Sequence, residues 1–147
     1  MPGNKYLVLR LKAPMQSWGL RAKFDNRSTE TMPTKSGIVG LLAAGLGLDR
    51  SDSVGIASLC ILKLMTICVK EGKVLTDYHT VGAGYDKNDH PEKIPLTSKG
   101  TPMKDPIVTH RQYLCDYEFL AVLYGDSKLI DRCSSAVRDS VYPLYLG

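Results

Sequence analysis

The chain has 147 residues, 44% of them apolar, and a formal net charge of +4. That length carries one domain with a sizeable core, and no apolar run approaches the roughly 18 residues that a membrane span requires. The charge is uneven: residues 1–38 carry +5 and the rest −1, so the whole excess lies in the first quarter, as either a polyanion-binding patch or a solvated surface would have it.

Lys5, Arg10 and Lys12 interrupt the first apolar stretch, which argues against a secretory signal and for a cytoplasmic protein. Tyr6 to Ala13 alternates. Leu7, Leu9, Leu11 and Ala13 share one face, and Tyr6, Val8, Arg10 and Lys12 share the other, which predicts a half-buried strand ended by Pro14. Met15 to Pro33 has no sustained period and reads as a loop of nearly 20 residues, a length usually kept for function. Its Gln16, Ser17, Trp18, Arg21, Lys23 and Arg27 supply the amide, hydroxyl, ring and cations that suit phosphate contact and base stacking. Trp18 reads equally well as a core anchor at the base of that loop.

Thr34 or Ser36 is placed to cap a helix running to Gly47, with Ile38, Val39, Leu41, Leu42, Gly45 and Leu46 at helical spacing. Lys35, Ser36 and Gly37 at its start are suited to hold a phosphate. Gly40 and Gly45 make sense where the helix packs closely on a neighbour. A short second helix capped by Asp52 or Ser53 follows, then a strand over 62–69, a turn at 70–73 and further extended chain over 74–78. Residues 80–111, rich in Gly, Pro and Lys, read as a protruding arm. Its two flanks would lie side by side if it is a hairpin. Cys115 to Tyr124 alternates and reads as one central strand. Asp126 or Ser127 then caps an amphipathic helix marked by Leu129, Ile130, Cys133, Ala136, Val137 and Val141, and 142–147 begins an extended element.

That order is the β-α-β-β-α-β, ferredoxin-like (RRM-like) plan of an α+β domain, with the arm inserted and the final strand short or missing. It implies a fragment, or a continuation carried elsewhere. Cys60, Cys68, Cys115 and Cys133 form no CxxC pair and read as reduced, buried hydrophobes; no zinc constellation, metal site or cofactor is expected. No P-loop motif is present.

YLVLRLKAPMQSWG followed by PTKSGIVGLLAAGLGLDRSD resembles the opening of the CasD family, the fifth Cas family of the RAMP superfamily, found in type I-E CRISPR Cascade complexes. TDYHTVG and THRQYLCDYEFLAVLYG resemble the segments flanking that family's thumb-like arm, and YPLYLG the segment opening its glycine-rich loop. The resemblance covers essentially the whole chain as a single RAMP domain over 1–147, with the arm at 80–111. It implies a subunit that binds and caps the 5′ handle of CRISPR RNA (crRNA). Such a subunit touches the backbone subunit and the large PAM-sensing subunit, and reaches target DNA only through the complex. It implies no catalytic residues. On this resemblance Lys12, Gln16, Ser17, Trp18, Arg21, Arg27, Lys35, Ser36 and Gly37 would meet the handle. Tyr78, His79, Arg111 and Tyr113 would sit at the root of the arm, where stacking and cationic contacts hold splayed bases. Two other readings stand beside it. One is a metal-independent endoribonuclease using His79 and His110, as a type I-C relative processes precursor RNA. The other is a protein-interaction module that binds no RNA.

Overall fold

The structure is a computed structural model that describes residues 3–19, 25–82, 84, 86, 88 and 90–147. It is an α+β fold of two sheets and three helices among those residues. In chain order the elements are β1 (Asn4–Lys12), β2 (Met15–Gln16), β3 (Asn26–Arg27), α1 (Lys35–Leu46), α2 (Ser53–Cys60), β4 (Lys63–Lys70), β5 (Lys73–Val81), β6 (Ile107–Cys115), β7 (Glu118–Asp126) and α3 (Ser127–Arg138). A short 3-10 turn covers Pro91–Lys93.

The core sheet has the order β1-β7-β4, with every pairing antiparallel. Alternation decides which side of it is buried. Leu9 and Leu11 on β1 and Phe119, Ala121 and Leu123 on β7 all point to the helices and are buried. There they meet Ile38 and Leu42 of α1 and Ile130 and Cys133 of α3. Burial also pushes the Cys133 thiol pKa up. Thr34 caps α1 by accepting from the Gly37 amide, and Gly47 ends it in the left-handed region at φ 70°. Asp52 caps α2 and Asp126 caps α3, each through its carboxylate. Gly45 is the glycine that close packing requires, since a Cβ there would stand 3.0 Å from the Ala136 carbonyl oxygen of α3. Gly40 faces open space instead.

Three sequence expectations are corrected. The 15–33 stretch is not a plain loop. β2 pairs antiparallel and β3 parallel with β6, and Gly19 bridges to Thr29. Its backbone groups use the free edge of β6, a partner about 85 residues away that no local period reveals. The expected single strand over 115–124 is two strands. Asp116 takes φ 60° and breaks it, so that Cys115 ends β6 in the second sheet while Glu118 opens β7 in the core sheet. Third, of the four cysteines read as buried only Cys133 is so; Cys60 is exposed, and Cys68 and Cys115 are half-buried, because they stand on a short surface helix and at the sheet margins. Residues 143–147 form no strand. Leu144 and Leu146 instead lie in a groove along β1, held by a hydrogen bond from the Ser17 amide to the Leu146 carbonyl.

The second sheet is built on the β5–β6 hairpin, paired in register from Lys73↔Cys115 to Val81↔Ile107. Its base is anchored by Leu114, 1% exposed, while Val74, Leu75, Tyr78 and Val81 remain exposed. Beyond the Tyr78–His110 rung, where the pairing with β3 ends, the hairpin continues as a two-stranded ribbon.

Candidate nucleic-acid interface

The residues singled out from sequence separate into three places. Gln16 and Trp18 go inward. Gln16 is 1% exposed and its Nε2 donates to the Tyr117 carbonyl at 2.8 Å. Trp18 is 3% exposed, and its ring edge is so close to α1 that a Cβ at Gly37 would stand 2.9 Å from Cε3. The core-anchor reading of Trp18 thus describes where the ring sits, and the indole is not displayed for stacking on a base. A clasp fixes it. The Trp18 amide donates to Thr29 Oγ1 at 2.7 Å, and the Glu30 amide donates to the Trp18 carbonyl.

A second group lies apart from the rest. The Lys35 ammonium donates to the Leu62 carbonyl, so it ties α1 to the start of β4 instead of standing free at the helix start. Ser36 is exposed beside it, and Gly37 is half-buried under Trp18. Lys12 is on the outer face of the core sheet, 3.7 Å from Glu118. Tyr78 faces the opposite side of the arm from its neighbour His79, and its ring meets His110 edge-on at 5.3 Å. Arg21 lies outside the described residues.

The third group converges. Ser17, Arg27, Arg111 and Tyr113 line one cleft, together with Gly19, Ser28, Gln112 and Gly147. β3 and β6 place Arg27 directly beside Arg111 in parallel register. Like charges opposite one another cost stability unless something neutralises them. Across the other edge of β6, Asp77 stands in the same rung as Arg111, but its carboxylate lies 3.8 Å from His79 Nδ1 and outside ion-pair distance of Arg111. Among the described residues neither arginine has a carboxylate within ion-pair distance. Arg111 Nε is held by Thr109 Oγ1 at 3.1 Å, which leaves the rest of its fork for a ligand. Two guanidinium forks, a hydroxyl and a phenol in one open cleft are the donor set for a phosphodiester, with an aromatic ring beside it for a base. Ser28 and Gln112 were missed by the sequence reasoning. The only signal for them is that each adjoins an arginine that had been selected.

His79 shares the sheet face of Arg111, whereas His110 lies on the reverse face. No group of three or more His, Cys, Asp or Glu side chains among the described residues is arranged to hold a metal ion. No helix among the described residues is long and apolar enough to cross a membrane.

Comparison with known proteins gives the same chemistry a family context. The profile of the CRISPR-associated protein family Cas_Cas5 (Cas5d) matches residues 6–147. The chain is 34% identical over 157 residues to the CRISPR system Cascade subunit CasD of Escherichia coli strain K12, covering 98% of this chain and 65% of that one. It superposes with a TM-score of 0.85 on a chain of a CRISPR RNA-guided surveillance complex, at 34% identity, covering 97% of this chain and 57% of that chain. A second solved Cas protein matches with a TM-score of 0.61, again at 34% identity, over 97% of this chain and 56% of that one. The chain thus spans somewhat under two thirds of the length of these relatives. With a profile match over nearly its whole length, the chain belongs to the Cas5 family of CRISPR-associated proteins.

Proposed function

We propose that this chain is a non-catalytic subunit of a type I-E-like CRISPR Cascade complex. It grips the 5′ handle of crRNA in the Arg27–Arg111 cleft, and it joins that end of the RNA to the backbone subunit and the large PAM-sensing subunit. Target DNA is met through the complex. The observation that carries the reading is the pair of side-by-side arginines with no neutralising carboxylate among the described residues. Family membership supplies the context in which the polyanion is RNA.

The core follows the ferredoxin-like β-α-β-β-α-β plan in this reading. β1, β4 and β7 take the first, second and third strands, in the antiparallel order β1-β7-β4. The fourth strand's place is the second edge of β1, along the groove lined by Leu7, Leu9, Leu11, Leu41 and Val137. The β5–β6 ribbon serves as the thumb, with the arginine cleft at its root.

The test is binding of labelled handle RNA across a salt series, with the backbone subunit present. Arg27→Ala and Arg111→Ala should each weaken binding by about tenfold, because each removes a charge-assisted contact. Each should also flatten the logarithmic salt slope by about 0.7, the value for one phosphate contact to a single strand. Lys128→Ala, on the exposed side of α3, should do neither. Unchanged affinity and slope in both arginine variants would remove the cleft from the RNA path. The endoribonuclease reading needs a base and a cation at one phosphate. His79 and His110 lie on opposite faces of the arm. Precursor RNA incubated in EDTA should therefore stay intact, and cleavage abolished by His79→Ala would restore that reading.

A further inference from the structure

Asp77 is the one carboxylate in β2, β3, β5 and β6. It stands where an anion-binding surface should least tolerate one. β3, β6 and β5 run side by side, and a single rung carries Arg27, Arg111 and Asp77 in that order. Residues in one rung point to the same face of a sheet, so the acid shares its face with both arginines. Neighbouring strands lie about 5 Å apart, which spaces the three groups evenly across the ribbon.

The fold itself makes no use of this carboxylate. It does not neutralise the arginines, since no ion pair joins it to either one. Its side chain is 42% exposed and lies 3.8 Å from His79 Nδ1, beyond hydrogen-bonding distance. It accepts no hydrogen bond among the described residues. Both oxygens therefore keep their lone pairs for a donor from outside the chain, and an ionised carboxylate can only accept. The backbone of a nucleic acid has one donor to offer. Its phosphates are acceptors and would be repelled, whereas the ribose 2′-hydroxyl donates, and only RNA carries it.

We propose that Asp77 is the residue by which this cleft selects RNA over DNA. With a phosphate seated on Arg27 and Arg111, the adjoining ribose lies over the next strand, β5, and its 2′-hydroxyl donates to the Asp77 carboxylate. In DNA the same carboxylate has no donor to meet, and its charge stands beside a phosphate. Only RNA offsets that repulsion. The proposal deepens the reading of the cleft as a grip on the handle and rests on it.

The test repeats the handle-binding measurement, with the backbone subunit present, on RNAs that carry a single 2′-deoxy nucleotide at each position in turn. In the parent chain, removing the hydroxyl at one position should weaken binding by about tenfold, the effect of one hydrogen bond to a charged group. In Asp77→Ala the same removal should change affinity by less than about twofold, because the acceptor is gone. Asp77→Asn keeps an acceptor oxygen and loses the charge, so it should retain part of the penalty, which a purely electrostatic role would abolish. The salt slope should not flatten in either variant, since neither removes a phosphate contact. A parent indifferent to every 2′-deoxy position, with binding still dependent on Arg27 and Arg111, would overturn the proposal and leave the cleft reading standing. A penalty that survives in Asp77→Ala would overturn it too, because the hydroxyl would then be read elsewhere. Loss of the arginine dependence would remove the cleft from the RNA path, and the proposal with it.

Discussion

Trp18 shows how one residue's role depends on where its backbone is held. In sequence it sits among cations and hydroxyls, in a setting that suits a base-stacking ring. In the fold its backbone is clasped by Thr29 and its ring is wedged against Gly37, so its contribution is to stability. Trp18→Ala should cost about 3–5 kcal/mol, the usual range for emptying a buried aromatic site. Denaturant unfolding would read that as a lower midpoint with the slope kept. If Trp18→Ala instead unfolded like the parent and lost only RNA affinity, the ring would have to be displayed after all. Arg27 and Arg111 are placed oppositely: they stand in one rung of β3 and β6, an arrangement of like charges that costs stability unless an anion neutralises it.

At the scale of elements, the passage between the two sheets is the constraint. Besides the step from β1 to β2 at residues 13–14, the chain makes two direct crossings, from β4 to β5 at residues 71–72 and from β6 to β7 at residues 116–117. The two crossings lie against each other, since a Cβ on Gly72 would collide with the Cys115 carbonyl oxygen and stand 2.9 Å from the Asp116 carbonyl carbon. Neither of those is a side chain that could swing away. Gly72→Ala should therefore destabilise by about 1–3 kcal/mol, as overpacking does, even though no side chain is lost. Thermal unfolding measures it, and a variant as stable as the parent would mean that the two turns separate readily. The same crossing explains the misread strand. Alternation continues smoothly through Cys115, Tyr117 and Phe119, but only the last of these belongs to the core sheet.

At the scale of the molecule, a dense core carries a sparsely supported arm. Phe119, Ala121 and Leu123 of β7 are each 0% exposed between two paired strands, whereas β5 packs substantially only on β6. Local stability follows contact density. Hydrogen exchange should leave the β7 amides as the slowest class, with the distal amides of β5 and β6 faster by at least a hundredfold. Addition of crRNA and partner subunits should slow the arm selectively. Uniform exchange across both sheets would show that the arm is part of the same cooperative unit as the core.

What the sequence determined by itself is everything that a local period or cap encodes. The buried face of β1, a cap for each helix (Thr34, Asp52 and Asp126, each one of two adjacent or near candidates), the stop at Gly47 and the stripe of α3 apart from Val141, which lies beyond the helix, follow from neighbours within a turn or two. Family membership was legible too, because its motifs are contiguous words. The arginine pair was legible only as two cations 84 positions apart, each a plausible contact with nothing to say that they meet. Tertiary structure decided that, and decided which of the neighbouring candidates turn away: Gln16 and Trp18 into the core, Lys35 onto the Leu62 carbonyl, Tyr78 to the reverse face of the arm. For Lys35 the cause is the packing of α1 against the start of β4; for the others it is strand pairing. A side chain's direction is set by the strand that its backbone pairs with, and those pairings join segments whose distance in sequence leaves no local trace.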